Sequence, residues 1–294
     1  MKKGKEVKIV FSEDGHRYES NTGKVCVSAT SVVKKFIAEP FDSDYQSTNS
    51  AIKNIIGAEE FKRLRREAGY ARGKLAMRPP QSFLNSLLPE IDAKEFFIEK
   101  NKILAGYELS GEMGTEFHEM MENETYERGF QINGSDGKEY KVIEYIKEND
   151  NETIESNLFD LEDGCYPELL LYTELENIFI TGQADLGFIE SKRKYRYTDI
   201  EDYKTFKNMG GWGSLFKYKH PFNRFDATKP QKTAFQLSIY QYMLELAGFK
   251  PRNQVMIHHK NYDKNNFDRY DLDYNKKEVE KMLKIVDREY GKKD

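Results

Sequence analysis

The sequence predicts an α/β protein in which a central mixed sheet is flanked by helices, with a mainly helical region ahead of it. Three stretches carry that prediction. Residues 178–189 (IFITGQADLGFI) and 195–206 (YRYTDIEDYKTF) are dense in β-branched and aromatic side chains, and the polar run Glu190-Ser-Lys-Arg-Lys194 separates them, the pattern of a hairpin. Ser110–Met121 sets Gly114, Phe117, His118 and Met121 at i, i+3, i+4 and i+7, one inward stripe of a helix. Thr233–Ala247 (TAFQLSIYQYMLELA) reads as a second helix, closed by Gly248.

Taken in order, residues 7–33 read as an N-terminal β-hairpin with turn signals at Asp14-Gly15 and Asn21-Thr-Gly23. Residues 43–108 read as mainly helical, interrupted by Pro79-Pro80 and Pro89, and residues 111–155 as helical around a polar turn at Asn133–Gly137. Strands occupy 167–206, beginning with Pro167-Glu168-Leu-Leu-Leu-Tyr172, and a loop runs to 230. The second helix, a strand at 254–260 and a C-terminal helix from 275 complete the pattern. At 294 residues and 38% hydrophobic content the chain can bury one large core or two modest ones, and the expected division is 1–108 and 109–294.

Composition excludes several classes. Charged residues make up 33% of the chain, yet the net charge is −4, so any phosphate contacts must be local. Cys26 and Cys165 stand far apart and outside any CxxC spacing, which suits free thiols in a reducing cytoplasm. Two cysteines cannot hold a four-thiolate iron–sulfur cluster. No stretch approaches the roughly 18 apolar residues of a membrane span, and MKKGKEVKIVF has no apolar signal core, so a soluble, cytoplasmic protein is expected.

Strand periodicity places Asp202 and Lys204 on one face and Glu201 and Tyr203 on the other. If Asp185 faces the same side, two carboxylates converge, a pairing that a cation between them stabilises; hard oxygen ligands suit Mg²⁺ or Mn²⁺. A solvated hairpin face is the alternative. His118 is either a core histidine or a ligand. Glu168, at the start of an apolar strand, is either a strand-end carboxylate or one that is paired or metal-bound. Gln236 and Tyr240 lie one turn apart, as on a core helix with a polar edge. A divalent ion held by carboxylates, with a lysine beside it, is equipped to activate water against a phosphodiester without a serine or cysteine nucleophile.

The order of His118, Glu168, Gly182-Gln-Ala-Asp185, Asp202-Tyr-Lys204 and Gln236-Leu-Ser-Ile-Tyr240 resembles the RecB-like branch of the PD-(D/E)XK nuclease superfamily over Gly111–Gly248. Residues 217–226 are similar to bacteriophage-encoded members, as are residues 27–32 (VSATSV), which also resemble mitochondrial genome-maintenance exonucleases. The resemblance implies a restriction-endonuclease-like core and one or two Mg²⁺ or Mn²⁺ ions. It implies Asp185 and Asp202 as principal ligands, with His118 and the Tyr203 carbonyl joining them, and Glu168 at a second metal position. Lys204 would orient or activate water, and Gln236 and Tyr240 would steady Lys204 or the nucleic-acid backbone. Many relatives carry Glu where this chain has Asp202. The implied activity is a DNase, an exonuclease on DNA ends or single strands, in recombination, repair or degradation, acting in the host cytoplasm if phage-encoded. A structure-selective or restriction-type endonuclease is the alternative, and so is a non-catalytic DNA-binding protein with the same fold.

Two segments are suited to nucleic acid. Residues 51–78 hold eight Lys or Arg, among them Arg63, Arg66, Arg72 and Lys74, against three Glu, which reads as a phosphate-contacting wall of a DNA channel or as a solvated helix face. Residues 212–225 interleave Trp212, Phe216, Tyr218, Phe222 and Phe225 with Lys217, Lys219, His220 and Arg224, a pattern for stacking on unpaired bases or for ordinary packing. His258 and His259 on the late strand read as structural, and His16 as a turn residue.

Overall fold

A computed structural model describes residues 9–12, 17–38, 41–72, 75–76, 79–144, 153–155, 158, 161–205 and 217–292. The chain divides into two units, Met1–Ala38 with Phe117–Asp294, and Glu39–Glu116. The N-terminal segment therefore belongs with the sheet, and the expected division after residue 108 is corrected. The reason is a strand pairing far apart in sequence, described below.

The larger unit opens with β1 (Ile9–Ser12), β2 (Arg17–Ser20), β3 (Cys26–Ser28) and α1 (Ala29–Lys35). β1 and β2 form the expected hairpin, but residues 29–33 are helical, because the Ser28 hydroxyl caps α1 by accepting the Ser31 N–H at 3.2 Å. The smaller unit holds α2 (Ser43–Ile56), α3 (Ala58–Glu67), the short strands β4 (Ala71–Arg72) and β5 (Leu75–Ala76), α4 (Gln81–Leu87) and the first part of α5 (Ala93–Arg128). Its helical character follows from caps and breakers: Asp42 caps α2, Gly57 at φ 89° parts α2 from α3, and Pro80 precedes α4. Ile52, Phe61, Phe83, Leu84 and Ile91 form its core, and the Tyr45 hydroxyl donates to the Pro79 carbonyl at 2.7 Å.

The larger unit resumes with the last turns of α5, from Phe117, which show the expected stripe: Phe117 and Thr125 are buried and His118 and Met121 half-buried. Then follow β6 (Phe130–Ile132), β7 (Glu139–Lys141), β8 (Thr153–Glu155), β9 (Gly164–Glu174), β10 (Phe179–Lys192), β11 (Tyr195–Lys204), α6 (Lys229–Leu246), β12 (Lys250–His259), β13 (Phe267–Asp271) and α7 (Lys276–Tyr290). The helical expectation for 111–155 fails after Arg128. Gly129 at φ 71° ends α5, and the chain forms the β6–β7 hairpin instead. Its turn is anchored on the sheet, where Asn133 donates to Asp199 at 2.8 Å and the Gly134 N–H to Glu201 at 3.2 Å.

A six-stranded mixed sheet runs β13-β12-β11-β10-β3, with β9 on the other edge of β10; β10–β3 and β11–β12 are parallel and the remaining pairs antiparallel. α6, α1 and α7 cover one face through Val32, Val33, Phe235, Ile239, Met243 and Val279. Tyr140, Leu186, Phe188, Tyr203, Val255 and Ile257 pack together on β7 and the sheet, with Met121 of α5 against them. β12 begins four residues ahead of the expected strand, and β13 was not anticipated. No helix among the described residues is long and apolar enough to cross a membrane. Asp14, Gly15, His16, Lys74, Trp212 and Phe216 lie outside the described residues.

Candidate metal centre

The site lies where β10 changes neighbours. Along one edge β10 pairs with β9 from Phe179 to Ile189; along the other it pairs first with β3 (Phe179↔Cys26 to Thr181↔Ser28) and then, from Leu186↔Glu201 onward, with β11. Gly182–Asp185 falls between the two, where the carboxyl ends of β3 and β11 arrive from opposite directions. Strands that part leave backbone donors without ladder partners, the usual setting for a site in an α/β sheet. One such donor is used at once: the Tyr203 N–H donates to the Asp185 carboxylate.

Glu168 joins Asp185 through a backbone anomaly. The flanking pairs Leu169↔Ala184 and Pro167↔Leu186 place Glu168 opposite Asp185, but Glu168 has φ 49°, a left-handed conformation rare for a residue with a side chain, and the ladder skips it. From α5, His118 Nδ1 reaches Asp185 Oδ2 at 3.4 Å. His118, Glu168 and Asp185 offer ligand atoms that all lie within 4.8 Å of one another.

The electrostatics are those of a crowded acidic site. Burial pushes the Glu168 carboxyl well up, and Asp185 and Glu122 push it further. Burial also acts to raise Asp185, but the His118 charge and hydrogen bond, then Lys204 and the Tyr203 N–H, outweigh it and hold Asp185 below the usual carboxylate range. The same Asp185 charge lifts His118 to about 9 against the opposing effect of burial. His118 is therefore a cation at neutral pH in the metal-free site.

Asp202, 1% exposed, is ion-paired with Lys204 as period two requires, and its Oδ1 accepts no hydrogen bond among the described residues. Burial raises Asp202 to about 6, with Lys204 opposing. Lys204 stays above its ordinary value because Asp202 and Asp185 outweigh the cost of burying it. Asp202 is not among the three convergent residues; its nearest charge is Lys204. The contact Tyr203 makes with the cluster is through its N–H, while its ring packs at 6.2 Å from the His118 ring. Gln236 Nε2 donates to Tyr240 Oη at 2.8 Å, and the Tyr240 ring lies over Gly182, where a Cβ would come within 2.3 Å of it. Glu201, on the opposite face, accepts from Arg269 at 2.8 Å.

Two neighbours escaped the sequence reading. Glu122 stands one turn beyond His118 on α5, a spacing that marks it in retrospect. Tyr18 of β2 packs on Phe11 and Leu170 close to Glu168, a contact that no local pattern announces.

The expected nucleic-acid residues are dispersed. Arg63 is bound to Glu60 and Glu67 of its own helix at 2.8 and 2.6 Å, which offsets its charge, whereas Arg66 is exposed. Lys217 pairs with Asp226, and Lys219 donates to the Lys35 carbonyl at 3.0 Å, closing the end of α1. Of Arg72 only the backbone is described, in β4.

Neither protein-family models nor curated proteins yield a match to this chain.

Proposed function

We propose that the chain is a Mg²⁺- or Mn²⁺-dependent nuclease built on a PD-(D/E)XK core, acting as an exonuclease on DNA ends or single strands. The observation that carries this reading is the convergence of His118, Glu168 and Asp185 beside the Lys204–Asp202 pair. The donor set fits a divalent ion: hard carboxylate oxygens suit both metals, and the imidazole favours Mn²⁺ of the two. His118, Glu168 and Asp185 would hold it, and Asp202 keeps an unused, buried carboxylate oxygen in reserve. A bound cation supplies charge neutralisation at the phosphoryl oxygens and a more acidic water.

The remaining roles belong to the chain. Asp185 is fixed in orientation by the Tyr203 N–H and kept anionic by His118 and Lys204. Lys204 remains protonated, so it orients an attacking water or a phosphate oxygen by charge and does not remove a proton. Asp202 pins Lys204 in place. The Gln236–Tyr240 pair seats α6 against Gly182 and so borders the site.

The test is incubation with end-labelled linear DNA and with covalently closed circular DNA, with and without Mn²⁺. Metal-dependent loss of label from linear DNA, with circles intact, is expected. Absence of cleavage of every substrate would refute hydrolysis, and rapid linearisation of circles would replace the exonuclease with an endonuclease.

A further inference from the structure

The polar edge of α6 does not stop at Gln236. At 100° per residue, Lys229, Lys232, Gln236 and Tyr240 fall within an arc of about 80° on the helix. On that arc Lys229, Lys232 and Gln236 are half-buried and Tyr240 is buried against Gly182. The line leaves the metal cluster and climbs toward the helix N-terminus over about 16 Å, from eleven residues at 1.5 Å each.

A third cation joins it. Lys34, in the last turn of α1, stands near enough to Lys232 to act on its charge, and Lys232 in turn acts on Lys229. Burial first, and these like charges second, hold both α6 ammonium groups below the ordinary lysine value. On α1 the neighbouring Lys35 pairs with Glu289. Neither Lys34 nor Lys232 pairs with a carboxylate among the described residues. Two half-buried cations on one edge of α6, with a third on the helix packed beside it, suit a multiply charged anion.

We propose that Lys34, Lys229 and Lys232 bind the phosphate backbone of the strand presented to the metal cluster, as a track along α6. The inference rests on the nuclease reading, which supplies the reason for a polyanion at this edge. A free phosphate would engage one end of a line about 16 Å long; a nucleic-acid strand engages all of it.

The experiment follows a fluorescent single-stranded oligonucleotide by anisotropy in EDTA, which prevents hydrolysis, over a range of salt. The wild type is compared with the triple variant Lys34→Gln, Lys229→Gln, Lys232→Gln and with the matching triple Arg variant, each checked for folding by circular dichroism. Each lost phosphate contact lowers the slope of log K against log salt by about 0.7 for a single strand, so the Gln variant loses about 2 and the Arg variant keeps the wild-type slope. An unchanged slope in the Gln variant overturns the proposal, as does an equal loss in the Arg variant, which would make the lysines structural. Loss of binding to phosphatidylserine vesicles with oligonucleotide binding unchanged also overturns it. A reduced slope in a protein that cleaves nothing with Mn²⁺ supports the track while refuting the nuclease.

Discussion

Mn²⁺ binding should be tightly linked to pH, with a proton count fixed by the metal-free site. The perturbation is a shift of buffer from pH 6 to pH 8. His118, lifted to about 9 by Asp185, is protonated by about a hundred to one at pH 7, and burial makes Glu168 hold its proton more tightly than an ordinary carboxyl does. A metal ion requires a neutral imidazole and an ionised carboxylate, so binding expels the His118 proton and competes with protonation of Glu168. Each proton expelled contributes a factor of about ten in apparent affinity per pH unit. His118 alone gives about a hundredfold gain from pH 6 to pH 8, and Glu168 adds to it below its own raised value. Folding runs the opposite way. The raised His118 contributes stability that is complete below 6.5 and lost as pH climbs through 9, on the order of 3 kcal/mol for a shift of this size. The metal-free protein should therefore melt lower at pH 9 than at pH 6.5 while binding Mn²⁺ more tightly. Isothermal titration in two buffers of different ionisation enthalpy counts the protons directly. Affinity that is flat with pH, with no proton released at pH 7, would remove His118 and Glu168 from the ligand set.

Other outcomes follow from single contacts. Lys204→Ala should cut cleavage by about 10²–10³-fold while Mn²⁺ affinity holds or tightens, since a cation beside the site is gone; weaker metal binding would assign Lys204 a structural role. Gly182→Ala puts a methyl 2.3 Å from the Tyr240 ring and should disturb the Gln236–Tyr240 bond, costing about 1–3 kcal/mol and about 10–100-fold in rate; unchanged melting and turnover would show that the ring has room. Asp199→Ala removes a carboxylate, 1% exposed, that accepts from Asn133, Arg252 and Asn253, so a loss of about 3–5 kcal/mol is expected, seen as a melting point roughly 6–20 °C lower. A drop under about 2 °C would contradict the weight given to that network.

What could be read in advance was whatever depends on local period. The alternation that puts Asp202 with Lys204 and opposite Tyr203, and the helical stripe that turns His118 inward, need only a few neighbouring residues to be visible. Convergence was harder to read. Glu168 meets Asp185 because one residue of β9 adopts φ 49°, a conformation that no Glu-Leu-Leu pattern announces. The turn at Asn133–Gly137 is legible in its polar residues, whereas the sequence predicts helix on its flanks. Phe130–Ile132 and Glu139–Lys141 are three-residue strands, too short for a periodic signal, and they form because Asp199 and Glu201, distant in sequence, hold the turn between them. The unit boundary was hidden for the same reason. Local charge is a weaker guide: the count over 51–78 includes Glu60 and Glu67 but does not show that both bind Arg63, one turn away on either side.

The position of β3 carries a consequence for the life of the chain during synthesis. Cys26 pairs with Phe179, so β3 must wait for the synthesis of about 150 further residues before β10 gives it a neighbour in the sheet. His118, Glu168 and Asp185 likewise come from three elements, and Lys204 from a fourth. No fragment that has left the ribosome without β11 contains the full set. Contacts of such long range close late and cooperatively, and a metal site assembled only from them is incomplete while the chain is still nascent.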